Sequence, residues 1–223
     1  MKNIKEIKKM KKGFTLIELL IVIAILALLM SIVVVTLNPA ELLRKSRDTK
    51  RVSDLNALRT ALNLYVTDKA APDLDGAGSC STNTWFSLAA NGASGGCTTL
   101  DGSLCTLTPR LTNGSGWIPV NFGSISSGSP LSALPVDPTN ATSTTALSNL
   151  YYTYKCDSSS MTFELNAAME SSYYRSTAYG GSAGDGDVCS TDGGNNDLLY
   201  EVGSKPGLDL LTSSTTTSGY FYP

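Results

Sequence analysis

From Phe14 to Leu37 the chain reads FTLIELLIVIAILALLMSIVVVTL, in which 20 of 24 residues are apolar and Glu18 is the only charge. As a helix rising about 1.5 Å per residue this segment reaches about 36 Å, more than the roughly 30 Å hydrocarbon core of a bilayer. A stretch so long and so apolar excludes a purely cytosolic soluble enzyme. Ahead of it stand Lys2, Lys5, Lys8, Lys9, Lys11 and Lys12 against the single Glu6, which gives +5 over residues 1–13. The bias of basic residues toward the cytoplasmic side then places the N-terminus inside and everything after Leu37 outside. A secretory signal peptide fits less well, because its apolar region is about 7–15 residues long and ends at a small-x-small cleavage site. The sequence SIVVVTLNPAE contains no such site.

The lysines stop at Gly13, and Glu18 follows in the first turns of the apolar run. A carboxylate at membrane depth costs roughly 2–3 kcal/mol, so its presence there points to a function or to snorkelling toward the interface. The segment KKGFTLIELLIVIAILALL resembles the N-terminal processing and methylation segment of type IV pilins and of the pseudopilins of type II secretion. The resemblance implies cleavage between Gly13 and Phe14 by a membrane prepilin peptidase, which also methylates the new amine of Phe14. It implies an assembly role for Glu18, the fifth residue of the mature chain. Removing residues 1–13 leaves one cation at the end of an apolar helix, and the Glu18 of a neighbouring copy is placed to neutralise it. A buried charge is costly alone and tolerable when paired.

Residues 38–69 carry a second helical signal. Asn38 is a good N-cap, Pro39 suits the first helical position, and Glu41 completes the spacing of a capping box. Val52, Leu55, Leu58, Leu62 and Tyr65 recur at intervals of three and four, with Ala57, Ala61 and Val66 widening the apolar face. Arg44, Lys45, Arg47, Asp48, Lys50, Arg51 and Asp54 read as a solvated face, laced by the pairs Glu41–Lys45 and Lys50–Asp54. Nucleic-acid binding is disfavoured, because no aromatic residues interleave with the basic ones. The two segments together predict one helix of roughly 50 residues, with Pro39 as its point of kinking.

After Pro72 the texture turns to Gly, Ser, Thr and Asn, so turns are frequent. Asn83–Gly92 reads as a short helix; Leu150–Cys156 and Met161–Met169 read as a β-hairpin, and Leu198–Val202 as a third strand. So few strands need the helix from Leu55 to Val66 to cover one face. The fold class is therefore α+β: a long N-terminal helix, membrane-spanning in its first half and amphipathic in its second, packed on a small antiparallel sheet. The division is a basic leader (1–13), a transmembrane and polymerisation helix (14–37), its amphipathic continuation (38–69) and an extracytoplasmic head with a polar tail (70–223). PLSALPVDPTN (Pro130–Asn140) resembles a segment preceding the first strand pair in major pseudopilins and related pilins, with Asp137 before Pro138 starting a rigid turn. The long stretch between Pro72 and Pro130 departs from compact pseudopilins.

Cys80, Cys97, Cys105, Cys156 and Cys189 all fall on the predicted outer side, where disulfides persist. The odd count leaves one free or intermolecular, and the pairing expected is Cys156 with Cys189 plus one pair among the other three. Asp185, Asp187, Asp192, Asn195 and Asp197 concentrate hard oxygen ligands in a glycine-rich loop; a solvated acidic loop is the first reading and a calcium site the second. GGSAG (Gly180–Gly184) matches the G-x-S-x-G pattern by chance, since it lies in a low-complexity loop and the chain has no His to act as base. No enzyme activity and no other cofactor are expected. Residues 70–223 carry −9, and such an acidic head disfavours nonspecific contact with DNA.

These features predict a prepilin-like structural subunit that assembles into a type IV pilus filament through its N-terminal helix. A pseudopilin of type II secretion and a single-span anchor with a non-polymerising binding head are the alternatives. The partners implied by the resemblance are copies of the chain and other pilins, the prepilin peptidase and methyltransferase, and the inner-membrane assembly platform. Membrane lipid surrounds the helix before assembly. The expected location is the cytoplasmic membrane, followed by a surface or periplasmic filament.

Overall fold

The structure, a computed structural model, describes residues 13–76, 78–81, 83–87, 110–139, 150–175 and 186–208. The chain divides into two compact units, Met1–Leu42 and Leu43–Pro223.

The first unit is built on α1 (Leu16–Leu37). Thr15 caps it with its hydroxyl, which accepts the Glu18 N–H at 3.3 Å. Its remaining hydroxyls bond back onto the helix, Ser31 to the Leu28 carbonyl (2.7 Å) and Thr36 to that of Ile32 (2.9 Å). The hydroxyls of this exposed apolar helix are thereby satisfied internally. Asn38 then adopts a left-handed conformation (φ 39°) and ends the helix. Its carbonyl accepts the N–H groups of Glu41 and Leu42, opening α2 (Pro39–Asp68). The expected single helix is thus two, and the break falls at Asn38, one residue before the expected kink. A left-handed residue stops the i→i−4 ladder, whereas Pro39 sits at a first-turn position where its missing N–H costs nothing.

In the second unit, α2 buries Asp48, Arg51, Leu55, Leu58, Leu62 and Tyr65, a stripe spaced alternately by three and four residues. Ala61 joins the core as expected; Ala57 is exposed, lying just off the stripe. Four strands follow: β1 (Trp85–Phe86), β2 (Tyr152–Asp157), β3 (Thr162–Ala168) and β4 (Leu199–Gly203). They form one antiparallel sheet in the order β1-β2-β3-β4. The predicted hairpin and third strand are present, shifted by one or two residues. The helix expected from Asn83 is not there: Trp85 and Phe86 are extended and pair with Tyr154 and Thr153. Extension places their rings on opposite faces, Trp85 against Tyr154 (5.6 Å between centroids) and Phe86 against Tyr151 (5.7 Å), which a helical turn cannot do. Residues 88–92 of that expectation lie outside the described residues.

One face of the sheet carries Tyr152, Tyr154, Cys156, Phe163, Leu165, Ala167, Tyr200 and Val202, and these share a core with Leu55, Leu58 and Leu62 of α2. Trp117, Ile118, Val120 and Phe122 complete it from the connecting segment. Buried hydroxyls are anchored: Tyr152 donates to Asp54 (3.1 Å) and Tyr154 to the Leu74 carbonyl (2.9 Å). The other face is polar yet buried, with Thr153, Glu164, Asn166 and Glu201 at 1%, 0%, 1% and 2% exposure.

Candidate functional site

Gly13, Phe14 and Thr15 precede α1 as exposed, non-helical chain. A side chain built at Gly13 would meet nothing within 4 Å, and Phe14 is 77% exposed. The described residues on either side of the Gly13–Phe14 peptide bond are thus exposed. The leader before Gly13 lies outside the described residues. Glu18 stands in the first turn of α1, where the exposed N–H groups and the helix dipole favour a carboxylate. The Thr15 hydroxyl also donates to Glu18 Oε2 at 3.3 Å. Thr15 and Glu18 have the S/T-x-x-E spacing of a capping box, a signal present in the sequence that the reading above did not use. Every described large apolar residue from Leu16 to Leu37 is exposed. Leu16–Val34 is long and apolar enough to cross a membrane, by length and composition.

The second unit holds a charged cluster that sequence reasoning placed on the solvated face. Arg51 is fully buried. Its Nε and Nη2 donate to the two oxygens of Asp137 at 2.6 and 2.9 Å, and its Nη1 donates to Asp48 (2.6 Å) and Glu170 (2.7 Å). Glu170 is also held by Arg47 through two bonds of 2.7 and 2.9 Å. Asp48 accepts the N–H groups of Glu170 and Ser171 and the Ser171 hydroxyl. Burial pulls the Arg51 guanidinium down, but the bonds and charge of Asp137 and Glu170 more than offset it and hold the group firmly protonated. Burial likewise raises Glu170, and the two arginines reverse this, leaving its carboxyl below the usual range. Three segments far apart in sequence are thereby clamped together: α2, the turn before Pro138, and the chain leaving β3. Asp137 starts that turn as expected, its carboxylate accepting the Thr139 N–H at 2.8 Å. The missed signal is the α2 stripe itself, which continues back through Arg51 and Asp48 at the same three-four spacing. Asp54, paired with Lys50 as expected, is buried as well.

The disulfide is a correction. Cys80 pairs with Cys156, with Cα atoms 4.9 Å apart, and Cys189 is a free buried thiol. Cys156 lies on β2 beside β1, so the chain leading into β1 brings Cys80 to it. Cys189 sits past β3, with its thiol on the Tyr174 carbonyl at 3.5 Å. Burial, reinforced by Asp192 and Asp187, pushes that thiol well above its ordinary range and leaves it unreactive. Cys97 and Cys105 lie outside the described residues.

In the described part of the acidic loop, Asp187 and Asp192 accept local hydrogen bonds. The Asp187 carboxylate accepts from Ser190, and Asp192 accepts the N–H groups of Gly194 (2.8 Å) and Glu201 (2.6 Å). These oxygens are committed to local turns and to β4. Among the described residues no three His, Cys, Asp or Glu side chains group as metal ligands. Asp185 and the GGSAG stretch lie outside the described residues.

Residues 8–34 match the family model described as the prokaryotic N-terminal methylation motif. No curated protein and no solved structure matches the chain. The matched segment covers Gly13, Phe14 and Glu18, and the chain therefore carries the prepilin-type N-terminal signal that type IV pilins and pseudopilins share.

Proposed function

We propose that the chain is a structural subunit cut between Gly13 and Phe14, methylated at Phe14 and assembled into a type IV pilus filament through α1. The observation that carries this reading is a single carboxylate, Glu18, inside the matched segment and on a helix whose described large apolar side chains are all exposed. Such a helix needs lipid or other copies of itself around it. Once the leader is gone, the Phe14 amine and Glu18 form the one charge pair available to set the register of stacked helices in a low-dielectric filament core. The prepilin peptidase and an inner-membrane assembly platform are the partners this route requires.

The long segment between Pro72 and Pro130 favours a surface pilus subunit over a compact secretion pseudopilin. The test has two stages. Intact mass of the chain from cells with active peptidase is expected to fit a chain starting at methylated Phe14, and an uncut chain refutes the assignment. Sheared surface fractions are then expected to contain the subunit. Its absence there, with the processed chain retained in the envelope, would assign it to a secretion pseudopilus. Glu18→Ala is expected to be processed yet missing from sheared filaments; normal assembly of that variant would remove the role given to Glu18.

A further inference from the structure

Asn113, Gly114 and Ser115 form the pattern N-x-S with a residue other than proline at its centre, the acceptor pattern for attaching a sugar to an asparagine side chain. Three residues recur by chance, and Asn140, Ala141 and Thr142 repeat the pattern outside the described residues. The fold is what distinguishes Asn113. The chain enters the core at Trp117, Ile118 and Val120, each 0% exposed, whereas Asn113 and Ser115 are exposed on the loop just ahead of them. That loop is fastened at several points. The Phe122 N–H donates to the Thr112 carbonyl and the Leu134 N–H to that of Arg110, both at 2.8 Å, and Asn113 makes an antiparallel bridge with Asn121. Asn113 is therefore an exposed residue on a fixed platform.

The turn itself orients the side chain. Asn113 Oδ1 accepts the Ser115 N–H at 3.1 Å, so the carboxamide closes an Asx turn onto the residue two positions on. Gly114 sits at φ 89°, a left-handed value that a residue with a β-carbon adopts only under strain. With Oδ1 tied to the backbone, the other end of the amide is left for chemistry. Among the described residues, neither Asn113 Nδ2 nor the Ser115 hydroxyl has a hydrogen-bond partner. The nitrogen and the hydroxyl that the acceptor pattern requires thus share one exposed turn. Leu111, 53% exposed, stands two residues before Asn113 and gives an attached sugar apolar surface to cover.

We infer that Asn113 is an acceptor site for N-linked glycosylation, with an oligosaccharide carried on a lipid pyrophosphate as the donor. The inference rests on the reading above that places the head outside the cytoplasm. In the transfer, Asn113 Nδ2 attacks the anomeric carbon of the first sugar. The nitrogen–carbon bond forms, the carbon–oxygen bond to pyrophosphate breaks, and the lipid pyrophosphate leaves. One amide proton passes to a base of the transferring enzyme, and nothing is oxidised or reduced. This chain supplies the exposed nitrogen and the fixed turn.

The test is mass spectrometry of the full chain, purified in detergent from the cells that naturally produce it. Intact mass reports the starting residue. Cleavage after Arg110 and after Trp117 then isolates Leu111–Trp117, which contains Asn113 and excludes Asn140. That peptide is expected to carry added mass of one or more sugar residues on Asn113. Asn113→Gln and Ser115→Ala are each expected to abolish it, and Ser115→Thr to retain it. Ser115→Ala keeps the backbone N–H that closes the turn, so unchanged urea midpoints with loss of the sugar assign the effect to recognition of the hydroxyl. An unmodified peptide from a chain that begins at methylated Phe14 overturns the inference and leaves the filament reading standing. In a chain left uncut the same peptide still decides: sugar on Asn113 upholds the inference while the processing assignment fails. Sugar retained in Ser115→Ala, or found at Asn140 alone, overturns it too.

Discussion

Replacing Arg51 by Met tests the charge clamp directly. The thioether chain fills much of the same space, so the perturbation is mainly the loss of one charge and of its bonds to three acids. The damage is uneven. Glu170 keeps both bonds from Arg47, and Asp48 keeps its donors from Glu170 and Ser171. Asp137 loses both bonds to Arg51 and with them its buried counter-ion, while still 2% exposed. Most of the cost therefore falls on one buried carboxylate, and breaking a buried pair from one side costs about 3–5 kcal/mol. For a domain of this size that lowers the melting temperature by about 6–20 °C. Urea unfolding of the full chain in detergent, followed by the fluorescence of buried Trp85 and Trp117, measures it. Arg51→Met/Asp137→Asn should recover part of the loss, because a buried charge without its counter-ion is gone, with a coupling of about 0.5–3 kcal/mol between the two sites. A single-variant cost below about 1 kcal/mol, or strict additivity of the pair, would refute a buried clamp and return Arg51 to the solvated face.

Reducing the disulfide, or Cys80→Ser with Cys156→Ser, should cost about 4 kcal/mol, since the bond closes a loop of 76 residues; unchanged urea midpoints would contradict the observed pairing. Cys189 should react with a thiol reagent only after unfolding, read by mass on the intact chain, and rapid labelling of the native protein would show that the thiol is not buried. Leu58→Ala should cost about 2–5 kcal/mol by opening the core, while Leu64→Ala, at a position 39% exposed, should cost far less. Two groups of acids set opposite pH trends. Glu170, held below its ordinary value, contributes stability above the usual glutamate range that is lost as pH falls through its lowered folded value. Burial raises Asp192 to about 6 and, with Glu164 beside it, Glu201 to about 7. Their contribution is fully present below the ordinary carboxylate range and is lost as pH rises through those values. Urea midpoints should therefore fall between pH 5 and pH 8, and a rise across that window would contradict the assignment.

Much of this protein is readable without coordinates, and the reasons are local. A helix long and apolar enough to cross a membrane follows from a run of apolar residues, and the match to the methylation motif from a segment that includes Gly13, Phe14 and Glu18. The α2 stripe follows from Leu55, Leu58, Leu62 and Tyr65, because 3.6-residue periodicity is written directly in the chain. The β2–β3 hairpin follows from two β-rich runs around Asp157–Ser160. Trp85–Phe86 reads as helix in the sequence because two aromatic residues suit helix or strand alike until a partner strand exists, and β2 begins only at Tyr152.

What only the tertiary structure decided concerns polar and sulfur groups whose partners are distant in sequence. Arg51 looks solvated beside Lys50 and Asp54, and becomes a core residue because folding brings Asp137 and Glu170 within 2.7 Å of it. Cys80 pairs with Cys156 because β1 seats beside β2. Glu164, Asn166 and Glu201 look like the solvent face of alternating strands and are buried. Apolar burial announces itself through spacing along one element, whereas the meaning of a charge or a thiol depends on which group faces it, and that is set by the register and packing of elements the sequence does not place side by side.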